Sequence, residues 1–338
     1  MRKPARFFEL DRQREQGILR NAPTRAADSF AQQRHTERGT PRRAPTLSRW
    51  IVRSSLPVLL LAAAALLMGA RCNPAGTRVI VFMQGYYTSY DASGTEPTIV
   101  EGQRFNVLKN EFAAKGYART ALLDFSYAGG GVARDGTWRP NPYSCELTDR
   151  VSHDNLAPLE KMLRDYGARH PHAHFTLVGH SLGGYLAFIE VTREAGRTNA
   201  AKLGIDTVVT LDAPLQGASP DKKLVLDIVQ CDKTYLAGAE IVQQKLDPAT
   251  PALRRDQVHT MAEQGIRIAT YGNALDCFWN PAICVPAIPW VDDSGTQLLP
   301  EPATSHMYRI TSVPLASHDA ILGDAGVGAA VVGFVGAP

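Results

Sequence analysis

The sequence predicts an α/β fold: a mostly parallel central sheet with helices on both faces and a helical cap insertion. Three observations carry this. Residues 78–83, Arg-Val-Ile-Val-Phe-Met, form a continuous apolar run, the pattern of a central strand buried on both faces. Such runs alternate with stretches of helical period in the order β-α-β-α-β, which implies a parallel sheet with right-handed crossovers. The run at 175–178 also breaks at once into Gly179-His180-Ser181-Leu182-Gly183-Gly184 and continues as helix-compatible residues, the pattern of a strand, a sharp turn and a helix. With 338 residues and 44% hydrophobic content, the chain can bury one sizeable domain plus extensions.

The net charge of +3 hides an asymmetry. Residues 1–53 hold twelve arginines and Lys3 against five acidic residues, a net of +8, which leaves the remainder near −5. This segment has no sustained apolar period, so it reads as a basic disordered tail. It is followed at 54–70 by an uncharged apolar run bounded by Arg53 and Arg71. As a helix the run would span roughly 26 Å, slightly short of a ~30 Å hydrocarbon core. Two readings stand: a transmembrane signal anchor if Met1 starts the protein, or a cleaved signal peptide if translation begins near Val52. Positive charge before the run places the remainder, 71–338, outside the cytoplasm in either case, membrane-anchored or secreted. Arg71 before Cys72 departs from the small residue that lipoprotein signals use. The juxtamembrane position explains the arginines better than a nucleic-acid partner, which is not expected. The five cysteines suit an extracytoplasmic enzyme with a few bridges, with Cys277 near Cys284, and Cys145 and Cys231 in two long loops.

After the first strand comes Gln84-Gly85-Tyr86-Tyr87. A helical period over 103–115 stops at Gly116, a strand follows at 118–125, and 126–149 reads as a long loop rich in Gly and Pro. A helix at 156–166 then leads into the strand before Ser181. The turn there fits the G-x-S-x-G nucleophile elbow, in which a serine is held in a strained conformation and small residues let strand and helix approach. Here the sequence resembles the lipase branch of the α/β-hydrolases, whose elbow is often written Gly-His-Ser-Leu-Gly-Gly; the resemblance extends from about Thr77 to the C-terminus.

Beyond the elbow, 207–211 is a strand ending at Asp212-Ala213-Pro214-Leu215-Gln216-Gly217, similar to the strand and Pro-x-x-Gly turn of lipases. The composition becomes charged and helical over 218–264, which reads as the cap over the site. A strand at 266–271 runs into Asn273-Ala274-Leu275-Asp276, and a last strand at 307–313 precedes Ser317-His318-Asp319.

Catalytic roles follow from the chemistry of a serine, which needs a base to take its proton and a carboxylate to hold that base in the right tautomer. Ser181, Asp276 and His318 occur in the order of the α/β-hydrolase triad. Ser181 is the nucleophile and His318, after the last strand, the base; His180 belongs to the elbow and does not readily face the serine hydroxyl. Asp276, after the penultimate strand, is the favoured acid. Asp212 is the alternative, at a position used by some animal lipases. The Leu182 N–H at the helix start is one oxyanion donor. By resemblance the second is the Tyr86 N–H, where lipases carry His-Gly and this chain carries Gln84-Gly85.

The expected function is hydrolysis of carboxylic esters, of lipid or acyl type, through an acyl-enzyme. Alternatives are an acyltransferase or thioesterase with the same triad, or an inactive membrane-tethered binding protein on the same scaffold. No phosphate loop or metal-ligand motif stands out, so neither a cofactor nor a catalytic metal is expected.

Overall fold

The computed structural model describes residues 77–86, 88–90, 105–218, 236–274, 299–310 and 317–338, all in the second of two units, Met68–Pro338. The apolar segment 54–70 and Asp276 lie outside them. Among the described residues no helix is long and apolar enough to cross a membrane.

The chain opens with β1 (Arg78–Met83), α1 (Asn106–Ala114) and β2 (Leu122–Asp124), followed by the short pair β3 (Gly130–Val132) and β4 (Trp138–Pro140). Then come α2 (Ser152–Arg169), β5 (His174–His180), α3 (Leu182–Gly196) and β6 (Ile205–Leu211). The remainder supplies α4 (Leu236–Leu246), α5 (Thr250–Glu263), β7 (Arg267–Asn273), β8 (Thr304–Tyr308), α6 (Ser317–Gly323) and α7 (Ala325–Val335). Six strands pair in the order β2-β1-β5-β6-β7-β8, every pair parallel. With helices on both faces, this is the α/β-hydrolase fold that the sequence predicts.

The period of two in the strands feeds two separate cores. From β1, Val79, Val81 and Met83 join the core beneath α2, α3 and α5, while Ile80 and Phe82 join the one beneath α1, α6 and α7. This is why β1 is apolar throughout: both of its faces are covered. Gly116, with φ +104°, ends α1 as expected, since an L side chain is strained there.

Three expectations change in detail. The loop expected at 126–149 contains the β3–β4 hairpin, whose three-residue strands are too short for a periodic signal. The indole N–H of Trp138 donates to the Asp124 carbonyl at 2.9 Å and ties this hairpin to the end of β2. The last described strand, Thr304–Tyr308, begins three residues before the expected 307–313 and overlaps it at Met307 and Tyr308, while 311–313 lie outside the described residues. Within 218–264, α5 packs on α3 and β7 and delivers the chain into β7, so it is a crossover helix. Its buried residues, Thr250, Arg254, Val258 and Met261, follow helical spacing, and a crossover helix and a cap helix are equally amphipathic in sequence. Between them, α4 is fastened to the body: Glu240 accepts from the Ser152 N–H at 2.9 Å and from the Tyr185 hydroxyl at 3.2 Å.

On α3, Glu194 accepts from the Leu203, Gly204 and Ile205 N–H groups and holds the turn into β6. One helical turn earlier, Glu190 is fully buried, with the Arg197 guanidinium 2.7 Å away. Burial pushes the Glu190 carboxyl up to about 7, although Arg197 pulls it down. The folded state thus prefers the protonated acid. The stability this contributes is complete below the ordinary value of 4.5 and is lost as pH rises through about 7. In Glu190→Gln, Arg197 keeps Glu160 and Glu194, each at 3.0 Å. The expected outcome is that the wild type loses on the order of 1–3 kcal/mol relative to Glu190→Gln between pH 5 and 8. Thermal unfolding across that range checks it, and parallel profiles for the two proteins would contradict it.

Candidate active site

In an open parallel sheet the crevice forms at the carboxyl ends of the strands, where the strand order reverses. Here the reversal lies between β1 and β5. The ladders align their ends, with Met83 opposite Gly179, His180 opposite Leu211 and Leu211 opposite Tyr271. Gln84-Gly85-Tyr86, Ser181, Asp212 and Asn273 therefore all emerge along one edge.

Ser181 adopts φ 53° and ψ −125°, a conformation that costs a non-glycine residue on the order of 1–3 kcal/mol. The surroundings enforce it. The Ser181 N–H still bonds to the Leu211 carbonyl of β6 at 2.9 Å, while its own carbonyl already accepts from Tyr185 in the first turn of α3 at 3.1 Å. One residue thus completes a strand ladder and starts a helix.

Such a reversal needs backbones in near contact. A Cβ on Gly183 would stand 2.2 Å from the Met83 carbonyl oxygen and 2.3 Å from that of Gln84, so α3 begins directly against the end of β1. A Cβ on Gly85 would stand 2.8 Å from Ser181 Cβ. These approaches bring the two expected oxyanion donors to the serine: Leu182 is the buried first residue of α3, and Tyr86 follows Gly85.

The sequence left open what supports the turn where lipases carry histidine. Three hydroxyls hold it. Tyr127, fully buried, donates to the Gln84 carbonyl at 2.7 Å. Thr88 Oγ1 donates to the Gly85 carbonyl at 2.9 Å and shares a 2.9 Å hydrogen bond with the Tyr143 hydroxyl. Tyr90 and Tyr143 exchange two backbone hydrogen bonds at 2.9 Å, closing this loop onto the segment before α2. Burial raises the Tyr127 and Tyr143 phenols, so they remain donors at any physiological pH. Tyrosines forty and more residues away leave no local trace at 84–90, and sequence reasoning missed them. Nearby, Cys145 is disulfide-bonded; the four other cysteines lie outside the described residues.

His318 is the second residue of α6 and is buried. Its ring centre lies 4.6 Å from that of His180, at an interplanar angle of 45°. His180 is buried as well, and its Nε2 lies 3.1 Å from the His318 carbonyl oxygen. A carbonyl only accepts, so Nε2 carries the proton. Burial, and then the neighbouring His318, hold His180 well below the usual imidazole range, so it is neutral.

Asp212 lies at the end of β6, buried and at φ +46°. Its N–H bonds to the Tyr271 carbonyl at 2.9 Å, and Oδ1 accepts from the Asn273 N–H at 2.6 Å. The Asn273 side chain in turn clamps both backbone groups of Ile310, accepting from N–H at 2.9 Å and donating to C=O at 3.2 Å. The structure thus brings Ser181, Leu182, Tyr86 and Asp212 to one edge, with His318 against the residue that precedes the serine. Among the described residues no group of three or more His, Cys, Asp or Glu side chains could hold a metal ion.

Gly183→Ala tests the close approach. It forces a methyl group onto two backbone carbonyls, and the expected outcome is a loss of about 2–4 kcal/mol in chemical denaturation. A stability within about 0.5 kcal/mol of wild type would show that α3 and β1 are not in such contact.

No family model and no curated protein matches this sequence. Solved structures resemble the chain at low identity, with TM-scores below 0.5. A cutinase-like protein from Cryptococcus is 13% identical with a TM-score of 0.29, over 43% of this chain and 58% of that one. Phospholipase PlaB from Legionella pneumophila, in complex with thio-NAD, is 12% identical with a TM-score of 0.42, over 65% of this chain and 42% of that one. A lipase-esterase related protein from Clostridium acetobutylicum is 11% identical with a TM-score of 0.37, over 78% and 96% of the two chains. The chain therefore spans about half the length of the first two, and all three likenesses are too distant to assign a substrate.

Proposed function

We propose that the protein is a serine hydrolase of carboxylic esters, with lipid or acyl esters as substrates. The observation that carries this is Ser181 at φ 53° between a parallel strand and the helix it starts. Strain of that kind persists only where the surroundings over-determine it, and this geometry projects a hydroxyl beside free helix N–H groups.

In this reading Ser181 Oγ attacks the ester carbonyl while His318 takes its proton. The carbonyl oxygen becomes an anion bound by the Leu182 and Tyr86 N–H groups; Thr88 holds the Tyr86 peptide through the Gly85 carbonyl, and the Tyr185 N–H holds the Leu182 peptide through the Ser181 carbonyl. His318 returns the proton to the departing alcohol. Water, activated by the same histidine, then releases the acid and restores the serine. Asp276 holds the imidazole and stabilises its charged form. No step requires a cofactor. Residues 54–70 would keep the enzyme at the membrane, or direct its secretion if cleaved, with the catalytic unit outside the cytoplasm. Acyltransfer and thioester hydrolysis use the same machinery and differ in the acceptor or leaving group.

A second reading of the acid has its own support. Asp212 is buried, stands at φ +46° and has one oxygen fixed by a backbone N–H, as an aspartate held in a single orientation would. The expected outcome is that Asp276→Asn lowers kcat by about 10⁴-fold and Asp212→Asn by less than about tenfold. The reverse pattern, in folded variants, assigns the acid to Asp212.

The reading as a whole is tested with a fluorophosphonate probe on the full chain, followed by p-nitrophenyl esters of increasing chain length. Wild type is expected to label and Ser181→Ala not to, with ester turnover reduced by about 10⁴-fold or more. A folded wild type that does not label is instead a binding protein on this scaffold.

A further inference from the structure

We infer that His180 is a positioning residue: its Nε2–H holds the backbone of His318, and so fixes the base to the strand that carries the nucleophile. This rests on the hydrolase reading above and goes beyond it, since that reading gives His180 no task.

The geometry has three parts. First, His180 is the last residue of β5, a central strand laddered to β1 on one side and β6 on the other. Its neighbour Ser181 continues both the ladder and the helix, so the His180 Cα is among the most constrained points of the sheet edge. Alternation along β5 puts Val178, and with it His180, on the face covered by α1, α6 and α7. Second, α6 has only seven residues, too few to be stable alone, so its position must come from tertiary contacts. Ile321 and Leu322 bury its far side in that same core. Its start is held by His180, ring against ring at 4.6 Å and with Nε2 3.1 Å from the His318 carbonyl. Third, the charged groups facing His180 are those of α6. Among the described residues these include the His318 ring and Asp319, with Oδ1 3.7 Å from Nε2.

The consequence is mechanical and electrostatic. Proton transfer from a serine tolerates little error, and a displacement of about 1 Å costs on the order of 10²-fold. His180, the residue before the nucleophile, and His318 are 138 positions apart in the chain, and one hydrogen bond spans that gap. His180 can also lie beside the base without opposing it. Because it stays neutral, it adds no repulsion when His318 becomes an imidazolium, whereas a lysine or arginine there would.

The experiment compares wild type, His180→Phe and His180→Gln in the full chain. Phe keeps a ring and removes the donor, while the Gln amide nitrogen reaches nearly as far as Nε2. The readouts are kcat and KM on p-nitrophenyl butyrate and the rate of fluorophosphonate labelling, with thermal unfolding to confirm the fold. The expected result is a kcat about tenfold lower in His180→Phe, KM within about twofold, labelling slowed in parallel, and most of the loss recovered in His180→Gln. Should the Phe variant not fold, His180→Asn, whose amide is too short to reach, takes its place. A wild-type kcat in the variant lacking the donor, or equal losses for Phe and Gln, overturns the inference while leaving the serine hydrolase intact. A wild type whose labelling does not depend on Ser181 overturns both.

Discussion

Everything at the candidate site's sheet edge depends on one steric constraint, the near contact between the end of β1, the turn at Ser181 and the start of α3. Met83 and Gln84 carbonyl oxygens occupy the space where Gly183 would carry a side chain, and Ser181 Cβ occupies that of Gly85. With both positions bare, two backbones lie closer than any pair of side-chain-bearing residues allows. The turn at Ser181, its strained φ and the close approach of Gln84-Gly85-Tyr86 are then consequences of one packing event rather than separate inventions.

Such an approach crowds polar groups, and the surrounding contacts satisfy them. The Gln84 carbonyl accepts from Tyr127 and the Gly85 carbonyl from Thr88, which fixes the two peptides that lead into Tyr86. On the other side of the sheet edge, His180 meets the His318 carbonyl, and Asn273 clamps Ile310 while its N–H reaches Asp212. Each of these hydrogen bonds is worth about 1 kcal/mol in net stability. Their larger effect is to leave the edge one arrangement instead of several. The cores beneath do the energetic work: two apolar layers, separated by strands that feed alternate residues into each.

The helices beyond the elbow divide the same labour. In α3, Glu194 holds the turn into β6, while α5 uses a buried arginine rather than an acid: Arg254 donates to the Leu215 carbonyl and, at 2.6 Å, to Gln244 of α4. Its guanidinium also lies 5.3 Å from the Phe188 ring. That contact joins the crossover helix, the Pro-x-x-Gly turn and α4. The stretch 236–263, uniform in its charged composition, therefore contains one helix of the sheet's own architecture and one fastened above it.

The sequence by itself determined the sheet and the strand-to-helix turn at Ser181. Strands buried on both faces must be apolar without interruption, and a serine on a strand-to-helix reversal must be flanked by residues without bulk, so Arg78–Met83 and Gly179 to Gly184 are legible as local patterns. The positions of Ser181, Leu182 and Tyr86 followed from that, and His318 followed from its place after the last strand. Only the tertiary structure decided what holds these residues. Tyr127 under Gln84, Tyr143 beside Thr88 and His180 against His318 are pairings between distant segments. A hydrogen bond between residues 43, 55 or 138 positions apart leaves no period and no spacing in the chain that makes it. The strands announce themselves because burial on both faces acts on every residue of a run, whereas a single donor and acceptor meet only once the fold has formed.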